Sequence, residues 1–107
     1  MTLREARCEF TKMLAWLILW ACEQGYEPAL AEGMDRRTEK DPTSDHMKNS
    51  LHDIGLAQDI DLYRDGKYLS NTEDHLPLGE KWESMGGAWG GRFKDGNHYS
   101  LAWAGKK

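Results

Sequence analysis

A long helix at the start of the chain constrains the fold more than any other feature. Thr2 and Glu5 form a T-x-x-E capping box. A helix is therefore expected from Leu3 to Gln24, stopped by Gly25. Phe10, Met13, Leu14, Leu17, Ile18 and Ala21 recur at helical spacing and define a core face. Trp16 and Trp20 widen the apolar surface, so most sides of this helix are expected to be covered. Cys8 and Cys22 stand on it about 21 Å apart at a rise of about 1.5 Å per residue. That is too far for a disulfide, so two free thiols are expected, buried or half-buried. The apolar run Met13–Cys22 is too short to span a bilayer. Leu19-Trp20-Ala21-Cys22 loosely resembles a lipidation box, but Glu5 and Glu9 dilute the charge a secretory signal needs. The segment reads as a retained, packed helix.

The remainder is shorter-ranged. Tyr26–Leu30 reads as a first strand, and residues 32–49, with Pro42, as a long polar surface loop. Leu56–Tyr63 alternates as a strand does. Leu56, Ile60 and Leu62 share one face; Ala57, Asp59 and Asp61 share the other. Asp65-Gly66 signals a hairpin returning through Lys67–Leu69. Asn71 is placed to cap a second helix over Thr72–Met85, ended by Gly86-Gly87. Trp89–Phe93 and His98–Trp103 are expected to be extended. The 107 residues fit one domain, residues 1–107. The hydrophobic fraction of 39% and five Trp suit a folded core. The net charge of −4 and the scattered Lys and Arg form no basic stripe, which argues against a nucleic-acid partner.

His52, Asp59 and His98 stand out among the polar residues. Asp59 lies on the strand face opposite the apolar one. Gly55 lets the chain bend so that His52 can reach the same point. His98 opens the last strand, pointing away from Tyr99. Two His and one carboxylate with an open fourth position are what catalytic zinc uses. On spacing alone the signal is weak, since a loop His or a turn Asp more often has no ligand role. His46 and His75 read as surface residues, and Asp53, Asp61 and Asp65 as solvated or turn residues. Trp82, Trp89 and Trp103 read as core, with Trp89 placed beside two glycines where a cleft could form. Asp95-Gly96-Asn97 reads as an ordinary turn.

Ser50-x-His52-x-x-Gly55-x-Ala57-x-Asp59 resembles the S-x-H-x-x-G-x-A-x-D signature of the zinc D-alanyl-D-alanine carboxypeptidase family, which includes VanX/VanY-type enzymes and phage L-alanyl-D-glutamate endolysins. Asp95-Gly96-Asn97-His98 is similar to its second signature. Trp82-Glu83, Trp89-Gly90-Gly91-x-Phe93 and Trp20-Ala21-Cys22-Glu23-Gln24-Gly25-Tyr26 resemble the phage subgroup. The resemblance implies an α+β fold of the hedgehog and D-Ala-D-Ala peptidase kind, with a small antiparallel sheet, a long N-terminal helix and a second helix. It implies a Zn2+ cofactor held by His52, Asp59 and His98, and Asp95 as the proton-transferring acid. Arg37 or Arg36 would bind a substrate carboxylate or steady the oxyanion, and Ser50 would hydrogen-bond substrate or a ligand. The expected activity is L-alanyl-D-glutamate cleavage in peptidoglycan stem peptides. Its alternatives are D-Ala-D-Ala cleavage and a non-catalytic zinc-binding module of the same fold. A monomer made in the cytoplasm and acting on the cell wall is expected, without a membrane span.

Overall fold

The computed structural model describes residues 1–31 and 50–107. Helix α1 runs Leu3–Glu23. The Thr2 hydroxyl accepts from the Glu5 N–H at 3.1 Å, and the Glu5 carboxylate accepts from the Thr2 N–H at 2.8 Å, so both halves of the capping box form. Gly25, at φ +89°, turns the chain out of the helix. Ala6, Phe10, Met13, Leu17 and Ala21 are buried along one stripe. The opposite side is bare: Trp16 is 55% and Leu19 61% exposed. Cys8 and Cys22 are free and exposed as well. This corrects the expectation of a helix covered on most sides with sheltered thiols. At about 100° per residue both cysteines lie nearly half a turn round from the Phe10–Leu17 stripe, and among the described residues the core packs on that stripe and its flanks at Leu3, Leu14 and Trp20.

Among the described residues five antiparallel strands form the sheet: β1 Glu27–Leu30, β2 Ala57–Arg64, β3 Lys67–Tyr68, β4 Ala88–Trp89 and β5 His98–Ser100. The path is β1-β2-β5-β4, with β3 also on β2. Asp65 and Gly66 both take positive φ, as the tight hairpin between β2 and β3 needs. Pro28 is tolerated because β1 is an edge strand. A 3-10 turn, Thr72–His75, leads into helix α2, Leu76–Ser84. The helix expected over Thr72–Met85 is thus divided, and Pro77 opens its α part, where a missing N–H does no harm. The expected extended run Trp89–Phe93 is also corrected. Only Ala88–Trp89 is strand, and Gly90–Phe93 is a 3-10 turn. A side chain at Gly90 would collide with the Asp95 carbonyl and the His98 Cβ, so the tight turn requires glycine. The last strand ends at Ser100 rather than Trp103.

Leu56, Ile60, Leu62, Leu78, Trp82, Trp89 and Tyr99 join the α1 stripe in the core. Trp103 packs against it, partly buried. His75 also lies inside, at 4% exposure, which corrects its reading as a surface residue. Its Nδ1 is 2.8 Å from the Tyr99 hydroxyl. Burial holds the His75 imidazole below its ordinary range, against the opposing pull of Asp74 and Asp61. The folded state therefore binds this proton less readily than the unfolded chain. The stability His75 contributes is complete above about pH 6.5 and is lost as pH falls below it. An NMR titration is expected to place His75 below a free histidine. The acid-side fall in the unfolding midpoint should shrink in His75→Gln; an unchanged pH profile in that variant would refute the assignment.

Candidate metal centre

Three elements bring the candidate ligands together. His52 sits in a tight loop closed by the Leu56 N–H donating to the Leu51 carbonyl at 2.9 Å. Leu51 and Leu56 are both buried and anchor its ends. Gly55, at φ +78°, makes the reversal, and a Cβ there would crowd the Arg7 Nε at 2.8 Å. Asp59 lies within β2 and pairs directly across from His98 at the start of β5. Opposed residues of an antiparallel pair place their Cβ atoms about 5 Å apart on one face.

His52 Nε2 lies 3.2 Å from His98 Nδ1. Asp59 Oδ1 lies 3.4 Å from His52 Nε2 and 3.5 Å from His98 Nδ1. Asp59 Oδ1 is buried and receives no hydrogen bond. A buried carboxylate oxygen without a donor is costly unless a cation faces it. The two ring nitrogens cannot approach this closely with both lone pairs bare, so a cation or a proton belongs between them. An ion held tetrahedrally at about 2.0–2.2 Å would set its ligands about 3.3–3.6 Å apart. The observed triangle has the size of one face of that tetrahedron, leaving the fourth corner open. Among the described residues this is the one group of three or more His, Cys, Asp or Glu able to hold a metal. Burial is the largest single influence on the His98 imidazole and lowers it, but the Asp59 carboxylate, the Asp95 charge and the Lys107 main-chain oxygen together outweigh it, and His98 is held above its ordinary range.

Asp95 is exposed, and its charge acts on His98. Its carbonyl accepts from the His98 N–H at 3.1 Å, and its N–H donates to the Gly90 carbonyl at 2.9 Å. A turn thus fixes Asp95 to the strand that carries His98. The Ser50 Oγ is buried without a hydrogen bond, and the Ser50 carbonyl accepts from the Asp53 N–H. Asp53, Asp61 and Asp65 do not join the metal group. Arg36, Arg37 and His46 lie outside the described residues. Trp89 is buried, and its indole N–H donates to the Gly96 carbonyl at 2.7 Å, bracing the turn that holds Asp95.

Sequence reasoning missed two neighbours. Phe93 is 51% exposed with its ring 5.8 Å from that of His98. The Lys107 main-chain oxygen lies 3.2 Å from His98 Nε2. A cavity of about 470 Å³, lined by Trp89, Arg92, Phe93, Ala102 and Lys107 among others, opens on this side. A smaller polar one of about 210 Å³ includes Asn71, His75, Lys94 and Asp95. For Phe93, the available signal was an aromatic following a glycine pair; for Lys107 it was Gly105, a residue that permits a tight turn back.

Comparison with known proteins adds one finding. A family model described as D-alanyl-D-alanine carboxypeptidase matches residues 43–101. The span contains Ser50, His52, Asp59, Asp95 and His98. No curated protein matches the chain.

Proposed function

The chain belongs to the D-alanyl-D-alanine carboxypeptidase family, and from that premise we propose that it is a zinc peptidase cleaving the L-alanyl-D-glutamate bond of peptidoglycan stem peptides, as phage endolysins of this kind do. The observation that carries the metal reading is the His52–Asp59–His98 triangle, with its orphaned Asp59 Oδ1. When bound, zinc supplies Lewis acidity at the scissile carbonyl and lowers the pKa of water towards neutrality.

The chain's own residues supply the rest. Asp95 is exposed, so its carboxylate can reach both solvent and a bound peptide. It takes the proton of the attacking water and returns one to the leaving amine. Arg37 or Arg36 pairs with a substrate carboxylate, and the buried Ser50 hydroxyl is available for a hydrogen bond. The exposed Phe93 ring and the cavity that Phe93 and Lys107 line give room for a stem peptide. The site acts as a monomer at the cell wall; no helix among the described residues is long and apolar enough to cross a membrane.

The family description favours D-Ala-D-Ala cleavage as the second reading. Digestion of purified wall separates the two. New N-terminal D-Glu supports the first, and released D-Ala supports the second. A non-catalytic zinc module releases neither. Asp95→Asn is expected to keep its zinc and to lose about a hundredfold or more in hydrolysis. Wall hydrolysis undiminished in Asp95→Asn would remove Asp95 from the mechanism.

A further inference from the structure

Residues 103–107 fold back onto the candidate metal centre. Ala104, at φ +51°, and Gly105, at φ +81°, are the central residues of a tight turn. Two hydrogen bonds close it, Trp103 N–H to the Lys106 carbonyl and Lys106 N–H to the Trp103 carbonyl, both at 2.9 Å. Positive φ at both central positions is what a I′ turn requires. Trp103 packs against the core and anchors the near side. The far side then delivers the Lys107 main-chain oxygen to within 3.2 Å of His98 Nε2.

That oxygen can only accept, so His98 Nε2 must carry a proton. A neutral imidazole protonated at Nε2 is bare at Nδ1. Nδ1 is the atom that faces His52 Nε2 and Asp59 Oδ1. Resting on the zinc reading of that triangle, we propose that the 103–107 turn is a positioning element: its main-chain oxygen fixes the His98 tautomer and ring orientation that present Nδ1 to the metal. Ligating histidines commonly donate their second N–H to such a partner, and losing it weakens metal binding roughly 10- to 100-fold. Here the partner comes from the turn after β5 rather than from the strands that carry the ligands.

Two variants test this. Gly105→Val places a β-branched residue at a φ it avoids and opens the turn. A chain lacking Lys106 and Lys107 removes the acceptor and leaves Trp103 in place. Zinc affinity is measured by competition with a chromophoric chelator, alongside the unfolding midpoint of the metal-free protein. Two-bond proton–nitrogen NMR spectra of the His98 ring read its tautomer. Both variants should bind zinc about 10-fold or more weakly, with the metal-free midpoint nearly unchanged. Ala104→Gly, which keeps the turn, should match the parent. In the zinc-loaded parent the proton should sit on Nε2. A proton on Nδ1, or affinities within twofold of the parent in both variants, overturns the proposal. Failure of the parent itself to bind zinc would overturn the metal reading beneath it.

Discussion

Asp59→Ala is expected to yield a folded protein that retains only a small fraction of its zinc. In the metal-free fold the Asp59 Oδ1 is buried without a hydrogen bond and faces the two imidazoles, at 3.4 and 3.5 Å, so its removal leaves the core packing intact. It takes the one anion from a site whose other two donors are neutral when they ligate. A cation left facing two imidazoles loses both a bond and its charge compensation. His52→Ala and His98→Ala should behave alike, since each removes one corner of the same triangle. Metal analysis should find about one zinc per chain in the parent and a small fraction of that in each variant. Unfolding gives an independent reading. A ligand held by the native state alone stabilises it by about 4 kcal/mol at a free concentration a thousand times its Kd. The parent's midpoint should therefore fall on chelation, whereas the midpoints of the three variants should not move. Stoichiometric zinc in Asp59→Ala would show that the ion is held elsewhere.

The unequal legibility of this site in the sequence has a physical cause. Strand alternation is a local property, so it put Asp59 off the Leu56/Ile60/Leu62 face correctly. The pairing of Asp59 with His98 is a register between strands far apart in sequence, and nothing local encodes it. The candidate ligand set comes from the family signature, which stores that long-range information. The same division explains the fold. The ends of α1 were readable because Thr2, Glu5 and Gly25 act on the backbone within one turn of themselves. Its bare side was not, because Trp16 and Leu19 are as apolar as the residues that pack, and only the placement of the sheet decides which side is covered. His75 misled for the converse reason. A polar residue in a polar stretch was buried because Tyr99, on a distant strand, offers its hydroxyl. The Gly90–Phe93 turn was hidden because its cause is crowding by Asp95 and His98, which only the folded chain brings there.

Trp82→Ala should be among the most destabilising single changes in this chain. The side chain is fully buried. Phe10 of α1 meets its ring edge-on at 5.7 Å, and Tyr99 of β5 does so at 6.2 Å. Its indole N–H donates to the Ser100 carbonyl at 2.8 Å and to the Ala88 carbonyl at 3.1 Å. The ring is thus the piece that joins helix, helix and sheet. Truncation of a buried Trp costs about 3–5 kcal/mol through lost transfer energy and the cavity left behind. Domains of this class are stable by about 5–15 kcal/mol in total. A loss of that size should lower the unfolding midpoint by about 15 °C or more. Trp16→Ala is the matched control: 55% exposed on the bare side of α1, it should change stability by about 0.5 kcal/mol or less. Trp82→Phe separates packing from hydrogen bonding. It keeps most of the ring but leaves the Ser100 carbonyl without its indole donor, at an expected loss of about 1–3 kcal/mol. Because Ser100 lies two residues from His98 on β5, that variant should also loosen one corner of the metal triangle. Its zinc affinity should fall further than that of any α1 surface variant of equal stability. Equal midpoints for Trp82→Ala and Trp16→Ala would mean that the core is not organised around this ring.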